Sequence, residues 1–171
     1  IVANSIGAYF AMNALSGKQI EKAYFISPIV NMEQLIVDMM FWANVTEDEL
    51  QDRKEIETTF GETLSWEYLC YVRKNPITWE IPTDVLFGEK DNLTSYATIS
   101  EFAKQTKSTL TVMRNGEHWF HTEEQMKFLD EWINKSRQLE VGRMCDDENR
   151  NREGGRKIFC VYGKNSSLIR N

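Results

Sequence analysis

Three residue types that together can transfer an acyl group occur along this chain in one order: Ser5, Asp91 and His118. A serine becomes a nucleophile when a histidine takes its proton. An acid hydrogen-bonded to the far side of the imidazole holds the ring in the productive tautomer. The serine must also stand clear of its neighbours, which a sharp strand-to-helix turn achieves when small residues flank it. Ala3-Asn4-Ser5-Ile6-Gly7 has that spacing, with alanine at the first small position where glycine is usual. A helix beginning just after Ser5 would aim the Ile6 amide, and the positive end of the helix dipole, at a developing oxyanion. The same five residues also suit a serine that merely caps a helix.

The other two residues each have a rival. Asp91 follows the apolar run Thr83–Gly88, at the carboxyl end of a strand where a parallel sheet places its chemistry, but Glu89 stands in the same loop, and an aspartate here could instead cap the helix from Ser95. His118 follows the β-rich run Ser108–Met113 and the turn Asn115-Gly116, so its loop could carry an imidazole over the serine. The chain has one other histidine, His121, beside the helix cap Thr122-x-x-Gln125.

Several elements must position these residues. Ile1–Ala3 reads as a short strand turning into a helix that ends at Gly17, and Lys22–Pro28 as a buried strand closed by proline. From Asn31 to Pro76 the pattern is helical: Met32, Leu35, Ile36, Met39 and Met40 recur at helical spacing, Thr46-x-x-Glu49 can cap a second helix, and a third spans Thr63–Arg73. The strand Thr83–Gly88, a helix from Ser95 to Thr106, the strand near 108–113 and a helix Glu123–Lys135 complete the alternation. Strands alternating with helices predict an α/β fold with a mostly parallel sheet covered on both faces. Past Ser136 the periodicity fails, so residues 1–136 form the expected domain and 137–171 a flexible tail or a segment of separate origin, with 157–162 an orphan strand.

Ile1–Phe10, Phe87-Gly88-Glu89-Lys90-Asp91 and Gly116-Glu117-His118-Trp119-Phe120 resemble the nucleophile, acid and histidine motifs of the α/β-hydrolase superfamily, particularly its small bacterial serine hydrolases. The resemblance covers residues 1–136 and implies the C-terminal part of an eight-stranded sheet, with the helical stretch 31–80 inserted as a cap over the site. It implies catalytic Ser5, Asp91 and His118, with one oxyanion donor from the Ile6 amide and the other from a loop after the third strand, upstream of Ile1. The expected activity is hydrolysis of a small carboxylic ester, thioester or amide through an acyl-enzyme, the fragment itself being inactive; the alternative is a non-catalytic protein that binds a small ligand in the same crevice. Met39, Met40, Trp42 and Trp119 could line the acyl pocket, or simply pack the helices onto the sheet.

Composition narrows the partners. Residues 137–171 hold 8 of the 20 Lys and Arg but 5 of the 26 Asp and Glu, leaving the first 136 residues at −9 and the tail at +3. An acidic body argues against a nucleic-acid surface, and the tail's mixed charges read as solvated. No apolar run reaches the roughly 18 residues that span a bilayer. Three scattered cysteines, Cys70, Cys145 and Cys160, have neither metal-ligand spacing nor the number for a disulfide framework, so a cytoplasmic protein is expected, and the expected acyl-enzyme chemistry requires no metal or organic cofactor. The chance matches to Asn-x-Ser/Thr at Asn44, Asn92 and Asn165 carry no weight in that setting. A parallel sheet beginning at Ile1 would expose an unpaired edge, from which self-association follows.

Overall fold

A computed structural model of the 171-residue chain describes residues 1–145 and 160–161, and side chains for 1–136. Five strands form one parallel sheet: β1 (Val2–Asn4), β2 (Ala23–Ile26), β5 (Thr83–Gly88), β6 (Thr109–Met113) and β7 (Cys160–Val161), in the order β6-β5-β2-β1-β7. Parallel strands covered on both faces need apolar residues at successive positions rather than alternate ones. Ala-Tyr-Phe-Ile in β2 and Val-Leu-Phe within the wholly buried β5 meet that need. Asp84, the one charge inside β5, is answered at 2.9 Å by Lys22, at the opposite end of the sheet from Ser5.

Helices cover the two faces. On one, α1 (Ile6–Leu15) and α5 (Tyr96–Thr106) bury Ala8, Met12, Ile99 and Phe102 against Phe25, Val85 and Phe87 of the sheet. On the other, α6 (Glu123–Cys145) places Phe128, Leu129, Trp132 and Ile133 over Tyr24, Leu86 and Met113. Each large side chain removed from water in these layers contributes about 1.5–3 kcal/mol, so the sheet is the rigid part on which loop residues can be aimed.

The chain between β2 and β5 builds a third cluster. It holds α2 (Met32–Trp42), α3 (Glu47–Arg53), the antiparallel hairpin β3 (Glu55–Glu57) with β4 (Thr63–Ser65), and α4 (Trp66–Lys74), packed through Ile36, Met40, Leu50, Leu64 and Leu69 against Tyr9 and Ile29. Arg73 of α4 ties it together, bonding Glu33 of α2 at 2.7 Å and Glu47 of α3 at 2.6 and 2.9 Å. That guanidinium holds the Glu47 carboxyl below its usual value.

Three sequence expectations change. A hairpin lies within the stretch expected to hold helices alone: Gly61 at φ 88° turns the chain, and the helix expected from Thr63 starts at Trp66, where Ser65 accepts the first-turn amide. Helix α6 runs through Cys145 rather than ending at Lys135. The strand expected to be an orphan pairs with β1, Val2 opposite Cys160 and Ala3 opposite Val161. The rest of the tail, 146–159 and 162–171, lies outside the described residues. Among the described residues no helix is long and apolar enough to cross a membrane, and no group of three or more His, Cys, Asp or Glu side chains could hold a metal ion.

Candidate active site

Three loops meet at the carboxyl ends of β1, β5 and β6, where a parallel sheet opens a crevice. Ser5 lies between β1 and α1 with φ 48° and ψ −130°, a backbone conformation costly for any residue with a Cβ. Hydrogen bonds hold it there: its N–H donates to the Ile26 carbonyl at 3.0 Å, and its carbonyl accepts from Ala8 at 3.1 Å and Ile29 at 3.0 Å. The side chain does not cap α1. Instead Ser5 Oγ sits 2.8 Å from His118 Nε2.

The far side of the ring is held as closely. His118 Nδ1 is 2.8 Å from Asp91 Oδ2, and Asp91 Oδ1 accepts from the amides of Leu93 at 2.9 Å and Thr94 at 3.0 Å. An ionised Asp91 can only accept, so in the neutral imidazole Nδ1 carries the proton and Nε2 offers its lone pair to the Ser5 hydroxyl. The His118 and Asp91 side chains are 1 % and 0 % exposed, so no bulk water competes for this bond.

The rivals are placed elsewhere. Glu89 turns away, its Oε2 accepting from the Asn115 amide at 2.8 Å. His121 is exposed, with Glu117 as an ion-pair partner at 3.4 Å, while its amide and Gln125 complete the cap with Thr122 at the start of α6. Sequence reasoning missed the two amides on Asp91 and the hold of Glu89 on the histidine loop. The turn-forming run Asp91-Asn92-Leu93-Thr94 was the available signal for the first.

Beside Ser5 lies an apolar cavity of about 30 Å3, walled by Ile6, Leu35, Met39, Trp42, Leu93 and Trp119. Trp119 also stands edge-on to the His118 ring, centroids 4.9 Å apart. Of the expected pocket residues, Met39, Trp42 and Trp119 line this space. Met40 does not: one residue along α2 it points roughly 100° away and is buried in the helical core. Ile6 is the first residue of α1, where amides have no acceptor within the helix. A larger cavity, about 230 Å3, lies between Met32, Arg73, Trp79 and Phe102 and includes none of the three triad-type residues.

No family model matches the chain, and no curated protein matches it. Solved structures do. Est1E from Butyrivibrio proteoclasticus superposes with a TM-score of 0.65 at 14% identity, over 82% of this chain and 60% of its own. An assigned hydrolase of Agrobacterium vitis S4 gives 0.62 at 15% identity, over 78% and 59%. The Pyrococcus furiosus esterase Pf2001 gives 0.52 at 18% identity, over 80% and 51%. The chain thus spans between half and six-tenths of the length of these structures. A mostly parallel sheet with helices on both faces, shared at that level with hydrolases and esterases, gives the chain the fold of the α/β-hydrolases.

Proposed function

We propose that this chain carries the nucleophile, base and acid of a serine hydrolase acting on small carboxylic esters, thioesters or amides. The observation that carries the reading is the Ser5 backbone held at φ 48° while its hydroxyl, free of any capping duty, faces His118 Nε2 at 2.8 Å. Ser5 Oγ forms a bond to the substrate's acyl carbon as its proton passes to His118 Nε2. The proton then moves to the leaving group as the bond between that group and the carbonyl carbon breaks. Water, deprotonated by the same nitrogen, releases the acid and regenerates Ser5. Asp91 keeps the ring aligned throughout, and the Ile6 amide supplies one hydrogen bond to the oxyanion.

The cavity of about 30 Å3 beside Ser5 favours a short acyl group such as acetyl, with the Trp42 and Trp119 rings as its walls. Where an α/β-hydrolase uses two oxyanion amides, one of them upstream of the segment matching Ile1, losing a donor costs about 10²–10³ in turnover. The 171 residues alone are therefore proposed to be inactive in turnover, reacting with an activated ester once at most. p-Nitrophenyl acetate tests this: the expected result is release of up to one equivalent of nitrophenolate per chain, an acetyl group on Ser5 by mass spectrometry, and little turnover after it. A folded chain that binds the ester yet never becomes acylated would instead be a non-catalytic binding protein. Fast turnover by a monomer would contradict the proposed dependence on a second amide.

A further inference from the structure

The loops carrying Asp91 and His118 are bound to one another more tightly than the sheet requires. The Glu89 amide, donating to the Met113 carbonyl at 3.0 Å, closes the β5–β6 ladder, and past that last rung the Lys90 amide donates to the Gly116 carbonyl at 2.7 Å. In return the Asn115 amide donates to Glu89 Oε2 at 2.8 Å. Asn115 turns at φ 57°, a conformation asparagine tolerates well, so the Glu89 carboxylate holds a bend that would otherwise rely on its own propensity.

Gly88 makes this approach possible. A Cβ there would lie 2.6 Å from the Gly116 oxygen, 2.7 Å from its carbonyl carbon and 2.8 Å from the Glu117 oxygen, all backbone atoms of the histidine loop. Gly116 is nearly as tight, its missing Cβ falling 3.1 Å from the Gly88 Cα. Neither glycine has a positive φ, so what they provide is room, not an unusual conformation. His118 is two residues past Gly116, and Asp91 three past Gly88.

We propose that Gly88 and Glu89 are positioning residues that set the distance between His118 Nδ1 and Asp91 Oδ2 by locking the two loops into one unit. The proposal rests on the reading of Ser5, His118 and Asp91 as the reacting set, because the distance matters to chemistry only there. Glu89, the carboxylate that shares a loop with Asp91, acts on the histidine through the backbone of Asn115, without touching it.

The test uses the full 171-residue chain and Gly88→Ala, Glu89→Ala, Glu89→Gln and Lys90→Ala variants, with two readouts. One is labelling of Ser5 by a small alkyl fluorophosphonate, resolved into a saturation constant and a limiting rate. The other is the downfield proton resonance of the imidazole Nδ1–H bonded to Asp91. Glu89→Ala should lower the limiting rate about tenfold, the size of one lost hydrogen bond to a charged group, with the saturation constant unchanged. It should also broaden or shift the downfield resonance. Glu89→Gln keeps an acceptor and should restore both, and Lys90→Ala, whose amide remains, should change neither. Gly88→Ala should lower the limiting rate about 100-fold, as expected for an ångström-scale displacement of a reacting group. If Gly88→Ala does not fold, the Glu89 pair decides alone. Glu89→Ala indistinguishable from the unsubstituted chain in both readouts would overturn the proposal, as would a chain with no downfield resonance at all. A chain showing the resonance and its Glu89 dependence, but no labelling of Ser5, would uphold the positioning role and contradict the hydrolase reading.

Discussion

Ser5 and Ser95 each stand one residue before a helix that follows a strand of the parallel sheet, yet they do opposite things. Ser95 adopts φ −75° and ψ 151°, and its Oγ accepts the Thr98 amide at 3.1 Å, as a helix cap should. Ser65 does the same for Tyr68, and Asn31 and Thr46 for their own helices. Ser5 has φ 48° and ψ −130°, gives α1 no side-chain bond, and turns its hydroxyl to a histidine 113 residues away in sequence. Composition does not separate these serines. The backbone does: a turn that costs about 1–3 kcal/mol, with a forgone cap of about 1 kcal/mol, persists only where the surrounding hydrogen bonds enforce it. Ser5 has those bonds from Ile26, Ala8 and Ile29.

The contrast can be broken by substitution. Ser5→Ala should lower fluorophosphonate labelling by about 10⁴-fold or more, whereas Ser95→Ala should leave it unchanged. His118→Ala should lower the labelling rate by about 10²–10⁴-fold, the usual contribution of a general base, and His121→Ala should not. Urea unfolding should reverse the order of importance. Ser95→Ala should lose about 1 kcal/mol with its cap, while Ser5→Gly should be as stable as the unsubstituted chain or more stable by up to about 1 kcal/mol, because glycine accepts a positive φ. A Ser5→Gly variant less stable than Ser95→Ala would contradict the assignment of strain.

A smaller effect concerns the helical cluster above the cavity. Burial pushes the Tyr68 hydroxyl up from 10.0 to about 12, because the phenolate would lose its water. A raised value in the folded state means that the protonated form stabilises fully below the unfolded value of 10.0 and that this contribution is lost as pH rises toward 12. Thermal denaturation should therefore show stability falling between about pH 10 and 12, and Tyr68→Phe should flatten that fall.

How much could be read from residues alone follows the same division between backbone and composition. The strand at 83–88 and the helix from 96 to 106 were legible because the apolar Val85-Leu86-Phe87 closed by Gly88, and a 3.6-residue period, are local signals. The order of Ser5, Asp91 and His118 after successive strands was legible too. The hairpin at 55–65 was not, since strands of three residues carry almost no alternation and only Gly61 marks the turn. Nor could helical spacing tell Met39 from Met40, because it defines a face without saying what the face meets. Asp91 and Glu89 were indistinguishable for a related reason: which carboxylate reaches the imidazole depends on how the loop after Gly88 closes against Gly116.

The central claim is that one serine of the chain is poised for chemistry and the helix-capping serines are not. Peptide mapping by mass spectrometry after exposure to a fluorophosphonate addresses it residue by residue. The account predicts a single adduct, on the peptide containing Ser5, and none in Ser5→Ala. A folded chain that takes up no adduct, or takes it equally at Ser65 or Ser95, would contradict it.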